Sequence, residues 1–266
     1  MEIYYHEEIK IITFPLLPFY QDFALYIYYV DGLLIDTGPR FRKSKVLAEY
    51  KKLPIKQVAI THHHDDHMGM AGWLSRHKDL EIYTHENTLP HIKKQKHLPW
   101  IYRFGRKLAG QFDPVIYPEK LTTKHYEFIP VYTPGHTDDH VVLYEPHKKW
   151  LFTGDLYITS HPKVAHRSES IQQYIESLEK IMTLDFETIF CAHEGVVTDG
   201  REKIKEKIAY LKRMKKAATE MHREGFTDEE IVKIIFPRQV ILESITFGAF
   251  SRKKFIQACY QDEDGT

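Results

Sequence analysis

Cysteine is nearly absent from this sequence. The two present among 266 residues, Cys191 and Cys259, are too few for a disulfide framework, so the chain reads as one with reduced thiols in a cytoplasmic setting. An excess of charge of one sign is missing too: 37 Lys and Arg balance 37 Asp and Glu. That zero balance removes any general demand for nucleic acid or an anionic membrane as partner. No apolar run approaches the roughly 18 residues of a membrane span, and no charged, apolar, small-residue order of a signal peptide opens the chain. A soluble intracellular protein with no membrane partner is therefore expected; nothing in the residues sets its oligomeric state. The 42% hydrophobic content suffices for one large domain, or one with a small appendage.

What is plentiful is histidine, 17 in all, and its placement is uneven. In AITHHHDDHMG (59–69), four histidines and two aspartates fill positions 62 to 67. The surrounding pattern says where this cluster sits. IKIITFPL (9–16), FALYIYYV (23–30) and GLLIDTG (32–38) are short apolar segments broken by turn residues, which predicts antiparallel strands. A helix is expected over 42–52, then the strand IKQVAIT (55–61), ending where the histidines begin, and a further helix over 68–77. HYEFIPVYTPGHTDDHVVLYE (125–145) reads as strand, loop, strand, and KKWLFTGDLYI (148–158) as a strand ending at Asp155. Ser170 is a good N-cap for a helix whose apolar stripe runs from Ile171 to Met182, and FETIFCAHEG (186–195) is a buried strand ending at His193. From 201 to 260 the pattern is helical, with Ile204, Ile208, Leu211, Met214 and Ala218 on one face and a capping box at Thr227 and Glu230. The expected division is a mixed α/β domain over 1–200 with a helical C-terminal extension, 201–266, packed on it.

Side chains alternate along extended chain, so a loop that stays extended beyond Thr61 puts His62 and His64 on one side and His63 on the other. Two imidazoles from one face can grip one metal ion, while Asp66 and His67, past the turn into the helix, can reach a second. Three further candidates, His136, Asp155 and His193, each end a β-like segment, which suits a site assembled at the rim of a sheet. Imidazole with carboxylate suits zinc, and also iron or manganese.

Taken in order, T-H-x-H-x-D-H at 61–67, Pro-Gly-His at 134–136, Gly-Asp at 154–155 and the final His193 resemble the metallo-beta-lactamase superfamily, as does LLIDTG (33–38). The resemblance implies an α/β fold, the αββα sandwich of two mixed sheets flanked by helices, with metals at one edge. It implies that His62, His64 and His136 hold one ion, that Asp66, His67 and His193 hold another, and that Asp155 bridges them. Asp36 is expected to form a turn or to orient a ligand by hydrogen bonding, and His140, Asp138 and Asp139 to cap the loop or orient ligands.

Such a centre implies two divalent ions, zinc foremost, activating a shared water for attack on a carbonyl or phosphoryl group. Asp66 is the candidate to orient that water and relay its proton. True beta-lactamases of the superfamily carry a cysteine where Asp155 stands; the aspartate resembles instead the glyoxalase II, lactonase and nuclease branches. PGHTDDH resembles a lactamase-B-like group that includes endoribonucleases. The favoured reading is a small-molecule hydrolase acting on an ester, thioester or lactone; the alternative is a metal-dependent endoribonuclease or phosphodiesterase. KKQKHLPWIYRFGRK (93–107), basic and aromatic, could stack bases and neutralise phosphates, cover an anionic small molecule, or be a solvated surface. A purely structural zinc site is disfavoured, because such sites close with four ligands and have no bridged pair. The same scaffold holding iron for oxygen chemistry remains open.

Overall fold

The computed structural model describes residues 1–17, 20–40, 43–78, 80–96 and 112–261. Strands β1 (Glu2–His6), β2 (Ile9–Leu17), β3 (Tyr20–Val30), β4 (Leu33–Ile35), β5 (Gln57–Ala59), β6 (Glu81–Thr84) and β7 (Val115–Ile116) lie side by side in that order. β1 to β4 pair antiparallel, and β4 to β7 pair parallel. A second sheet has the order β14-β13-β11-β10-β9-β8, from β8 (Leu121–Thr122), β9 (Glu127–Tyr132), β10 (Val141–Glu145), β11 (Trp150–Gly154), β13 (Thr188–Cys191) and β14 (Gly195–Val197). Its β11 and β13 run parallel. The sequence places the antiparallel entry correctly, whereas the strand expected over 55–61 is shorter, and the parallel pairs carry no signal of their own.

Alternation along the strands decides the layers. Leu33 and Ile35 of the first sheet face Val141, Leu143, Trp150 and Phe152 of the second, and these residues fuse with Ile9, Ile11 and Phe190 into one buried cluster between the sheets. The residues between them point outward. Leu34 and Val58 meet Val46 and Tyr50 of α1 (Lys43–Tyr50) and Leu74 of α3 (Ala71–His77). Val142, Leu151 and Ile189 meet Tyr174 and Leu178 of α5 (Ile171–Ile181) and Leu211 of α6 (Gly200–Arg223). Four layers result, helix, sheet, sheet, helix, as the resemblance implies. Each large aromatic or aliphatic side chain fully buried this way contributes about 1.5–3 kcal/mol, so slipping one strand by a residue would exchange its inner and outer faces at great cost.

The helices between are α2 (Asp65–Met68) and α4 (Thr88–Lys96). Beyond α6 come α7 (Asp228–Ile235), α8 (Ile241–Ile245) and α9 (Arg252–Tyr260). Both predicted caps are made. Ser170 accepts the Gln173 amide, and Thr227 with Glu230 forms the capping box. The C-terminal segment is not helical throughout: β15 (Phe250–Ser251) pairs with β12 (Ala165–His166), which joins it to the loop after Asp155. No helix among the described residues is long and apolar enough to cross a membrane.

Candidate metal centre

The parallel pairs β4–β5 and β11–β13 end on the same side, and their carboxyl ends carry Asp36, His62, Asp155 and His193. Backbone bonds tie the two sheets together there, Val141 N donating to Thr61 O at 2.9 Å and Tyr26 N to Ala192 O at 2.8 Å. The β9–β10 loop adds His136 and His140. Gly135 (φ 136°) makes this loop possible, because a Cβ there would stand 2.6 Å from the backbone of Tyr174. Gly154 (φ 48°) turns the chain out of β11 to present Asp155, and a Cβ there would stand 2.9 Å from His140 and Thr61.

Past β5 the chain is extended at His64 (φ −65°, ψ 148°), and the side chains alternate as expected. Nδ1 of His64 lies 2.9 Å from Nε2 of His62 and 3.1 Å from Nε2 of His136. Oδ2 of Asp155 stands 3.3 Å from His136 Nε2 and 3.8 Å from His62 Nε2. His63 turns the other way, stacked on His91 at 3.6 Å with Nδ1 2.8 Å from Asp139 Oδ1. Asp66 and His67 lie inside the single turn of α2, not after a turn leading to a helix at 68, because the extended chain stops at His64. His67 Nε2 and His193 Nε2 each lie 3.2 Å from Asp155 Oδ1, and Asp66 Oδ2 is 3.8 and 3.6 Å from those nitrogens. The seven residues therefore form two groups, His62, His64, His136 with Asp155, and Asp66, His67, His193, whose ligand-type atoms lie within 4.8 Å in each. One Asp155 oxygen faces each group.

This donor set fits cations. His67 Nε2 and Asp155 Oδ1 are buried and make no hydrogen bond among the described residues. Burial holds His62 and His64 well below the ordinary imidazole pKa, with neighbouring imidazoles adding to the effect, so both are neutral donors. At His67 burial also pulls downward, but the carboxylates of Asp155, Asp36 and Asp66 outweigh it and the value stands well above the ordinary one. His193 is lifted to about 9 by Asp155 and Asp66 against the same burial. Burial would raise Asp155, yet His193 and His67 hold it well below the carboxylate range. Positive charge is thus drawn to the Asp155 Oδ1 side by the carboxylates themselves.

Partners outside the seven residues hold three of the rings, those of His67, His136 and His193. Asp36 (φ 59°) places Oδ2 2.8 Å from His67 Nδ1, and its Oδ1 accepts from Thr61 N at 2.8 Å. In the neutral ring this carboxylate selects the Nδ1–H tautomer, which leaves the Nε2 lone pair on the Asp155 side. Burial holds His140 at about 3, hence neutral. Its Nε2 accepts from Asp155 N at 3.2 Å, and its Nδ1 lies 2.9 Å from Thr133 Oγ1. His140 and Asp36 thus hold Asp155 and His67 in place by hydrogen bonding. Two partners were missed: Glu169 Oε1, 3.3 Å from His136 Nδ1, and the Ala24 carbonyl, 3.0 Å from His193 Nδ1. A backbone carbonyl leaves no mark in sequence, and Glu169 beside the Ser170 cap has no spacing that links it to His136. Cys191 is fully buried and its thiol is pushed up to about 12 by that burial, in keeping with a core role. Of the basic stretch 93–107, residues 97–107 lie outside the described residues; on α6, exposed Lys212 and Lys216 pair with Glu179 and Glu220.

The groups open into a cavity of about 700 Å³ bordered by His64, Asp66, His136, Asp155 and His193. Its far side is supplied partly by the C-terminal segment, through Val240, Leu242, Phe250 and Phe255. A four-layer sandwich with paired His and Asp groups at the shared edge of its sheets defines a class of metal-dependent hydrolases. The chain belongs to the metallo-beta-lactamase superfamily, whose family model matches residues 26–193. It is similar to the probable metallo-hydrolase YybB of Bacillus subtilis, 32% identical over 171 residues, 62% of this chain and 76% of that one. It is also similar to a hydroxyacylglutathione hydrolase of Bdellovibrio bacteriovorus, 31% identical over 144 residues, 54% of this chain and 51% of that one. In fold it matches a metallo-beta-lactamase family protein from Thermus thermophilus with a TM-score of 0.75 at 18% identity, over 97% of this chain and 95% of that one. That match includes the C-terminal helices, which the family model does not reach.

Proposed function

We propose that this metal-dependent hydrolase is dinuclear and cleaves an ester, thioester or lactone. The observation that carries this reading is Asp155, whose Oδ2 faces the His62, His64 and His136 group while its Oδ1 faces His67 and His193. Two divalent ions held there, zinc foremost with iron or manganese as alternatives, would supply Lewis acidity and an acidified water at neutral pH. The chain's own residues do the rest. His62, His64 and His136 would hold one ion; Asp66, His67 and His193 the other. Asp36 and Glu169 keep two of the imidazoles in the ligating tautomer. Asp66, part-exposed at the cavity with Oδ2 3.6 Å from His193 Nε2, is the group that takes the proton of the attacking water and returns it to the leaving oxygen or sulfur.

Away from the His and Asp centre the cavity wall includes Ile158, Val164, Leu211, Leu242, Phe250 and Phe255, and these apolar side chains favour a small acyl compound over an RNA strand. The test is turnover by metal-loaded protein across thioesters, lactones, phosphodiesters and single-stranded RNA, with His64→Ala and Asp66→Ala as comparisons. Hydrolysis of the acyl compounds, lost in His64→Ala and cut at least 100-fold in Asp66→Ala at full metal content, is expected. RNA cleavage without acyl hydrolysis would overturn the reading.

A further inference from the structure

The cavity has two chemically different ends. One is the His and Asp centre. The other is walled by Ile158, Val164, Leu211, Leu242, Phe250 and Phe255, drawn from the loop after Asp155, from α6 and from the C-terminal segment. Its volume of about 700 Å³ lies in the range of small-ligand sites, roughly 300–1,000 Å³.

This wall is fixed by specific contacts. The β12–β15 ribbon sets Ala165 opposite Ser251 and His166 opposite Phe250. Arg252 is clamped by Glu243, its N and Nε donating at 2.6 and 2.7 Å, and its Nη1 donates to the carbonyls of Phe236 and Arg238. Lys254 Nζ donates to the carbonyls of Gly248 and Ala249. The Ser251 hydroxyl accepts the Lys254 amide and caps α9. Polar side chains line the chamber too: Thr159, His161, Lys163 and His166 come from the same stretch after Asp155, and Lys207 lies beneath, where it already donates to Leu156 O and Tyr174 OH.

We infer that this chamber is an acyl-chain pocket, and that the substrate is an ester or thioester of a hydrophobic carboxylic acid whose carbonyl lies at the metal centre and whose hydrocarbon tail enters between the loop at 158–164 and the C-terminal segment. The inference rests on the hydrolase reading above. In the reaction one water oxygen bonds to the acyl carbon, the C–S or C–O bond breaks, and the proton passes to the departing thiolate or alkoxide; no electron is transferred. The apolar side chains of this chamber reward each methylene taken from water.

The test separates the pocket from the reaction. Butyrate, hexanoate, octanoate and decanoate share one carboxylate, so their affinities for the metal-loaded protein, measured by calorimetry, differ through the tail. Binding is expected to tighten up to about fourfold per methylene until the chamber is filled. Leu242→Trp and, from the opposite wall, Val164→Trp occupy that space and should flatten the series; two variants from separate segments guard against one that misfolds. Equal affinity for butyrate and decanoate in the wild-type protein overturns the pocket. The matching thioester series adds the second arm. A steep binding series with no thioester turned over would retain the pocket and overturn the hydrolase reading; turnover that is flat with chain length would do the reverse.

Discussion

Replacing Asp36 with Asn alters one atom of a buried carboxylate and keeps its shape. Asp36 has φ 59°, a left-handed conformation that Asn also adopts readily, so the backbone need not move. The Asn carbonyl can still accept from Thr61 N, which donates to Oδ1 at 2.8 Å in the native protein. The new amide nitrogen, however, takes the place of Oδ2, 2.8 Å from His67 Nδ1. Two N–H donors cannot face each other, so His67 is driven to carry its proton on Nε2, the atom 3.2 Å from Asp155 Oδ1. The lone pair that should meet a cation is then gone. Loss of an orienting partner of this kind costs about 10–100-fold in metal affinity, or ~1.4–2.8 kcal/mol. The loss should fall on one equivalent, the Asp66, His67 and His193 group, because Asp36 reaches the His62 group only through Thr61. Competitive titration with a chromophoric chelator resolves the two equivalents, and circular dichroism confirms the fold. A folded Asp36→Asn protein that binds both equivalents as tightly as wild type would refute the reasoning.

Metal removal should lower the melting temperature, since ions at 1,000 times their dissociation constant add about 4.1 kcal/mol to stability; identical melting with and without chelator would count against a folded-state site. Gly135→Ala forces a Cβ to 2.6 Å from the Tyr174 backbone at φ 136°, so it should cost at least ~1–3 kcal/mol by urea denaturation and weaken the His136 group; a variant as stable as wild type sinks the steric argument. Burial lowers Lys207 from 10.5 to about 8. Between those values the unfolded chain holds the proton that the folded chain has lost, so this residue makes stability rise with pH across that window. Wild type should gain on the order of 3 kcal/mol over Lys207→Met from pH 8 to 10.5; parallel pH profiles of the two proteins would contradict it.

The convergence of the seven His and Asp residues was legible in the sequence because each lies at or just beyond the end of a strand-like segment. Alternation along an extended chain separates His62 and His64 from His63 in sequence as in space. The layering was legible for the same reason, as Leu33, Leu34 and Ile35 show. What sequence could not reveal was anything carried by the backbone or by short pairings across long separations. The Ala24 carbonyl behind His193 is one case. The two-residue strands β12 and β15 are another, since two residues show no periodicity and about the same pattern occurs in any loop. For that reason the C-terminal segment reads as a helical appendage, although it walls the cavity.

The β12–β15 ribbon gives the chain a division of labour. All seven residues of the His and Asp centre lie between 62 and 193, whereas much of the far wall comes from 240–255, beyond the segment that the family model matches. On the acyl-pocket proposal, selectivity and chemistry are written in separate stretches of the sequence. Point changes or exchange of the segment after residue 240 would, on that proposal, retune which molecule is accepted while leaving the seven His and Asp residues untouched.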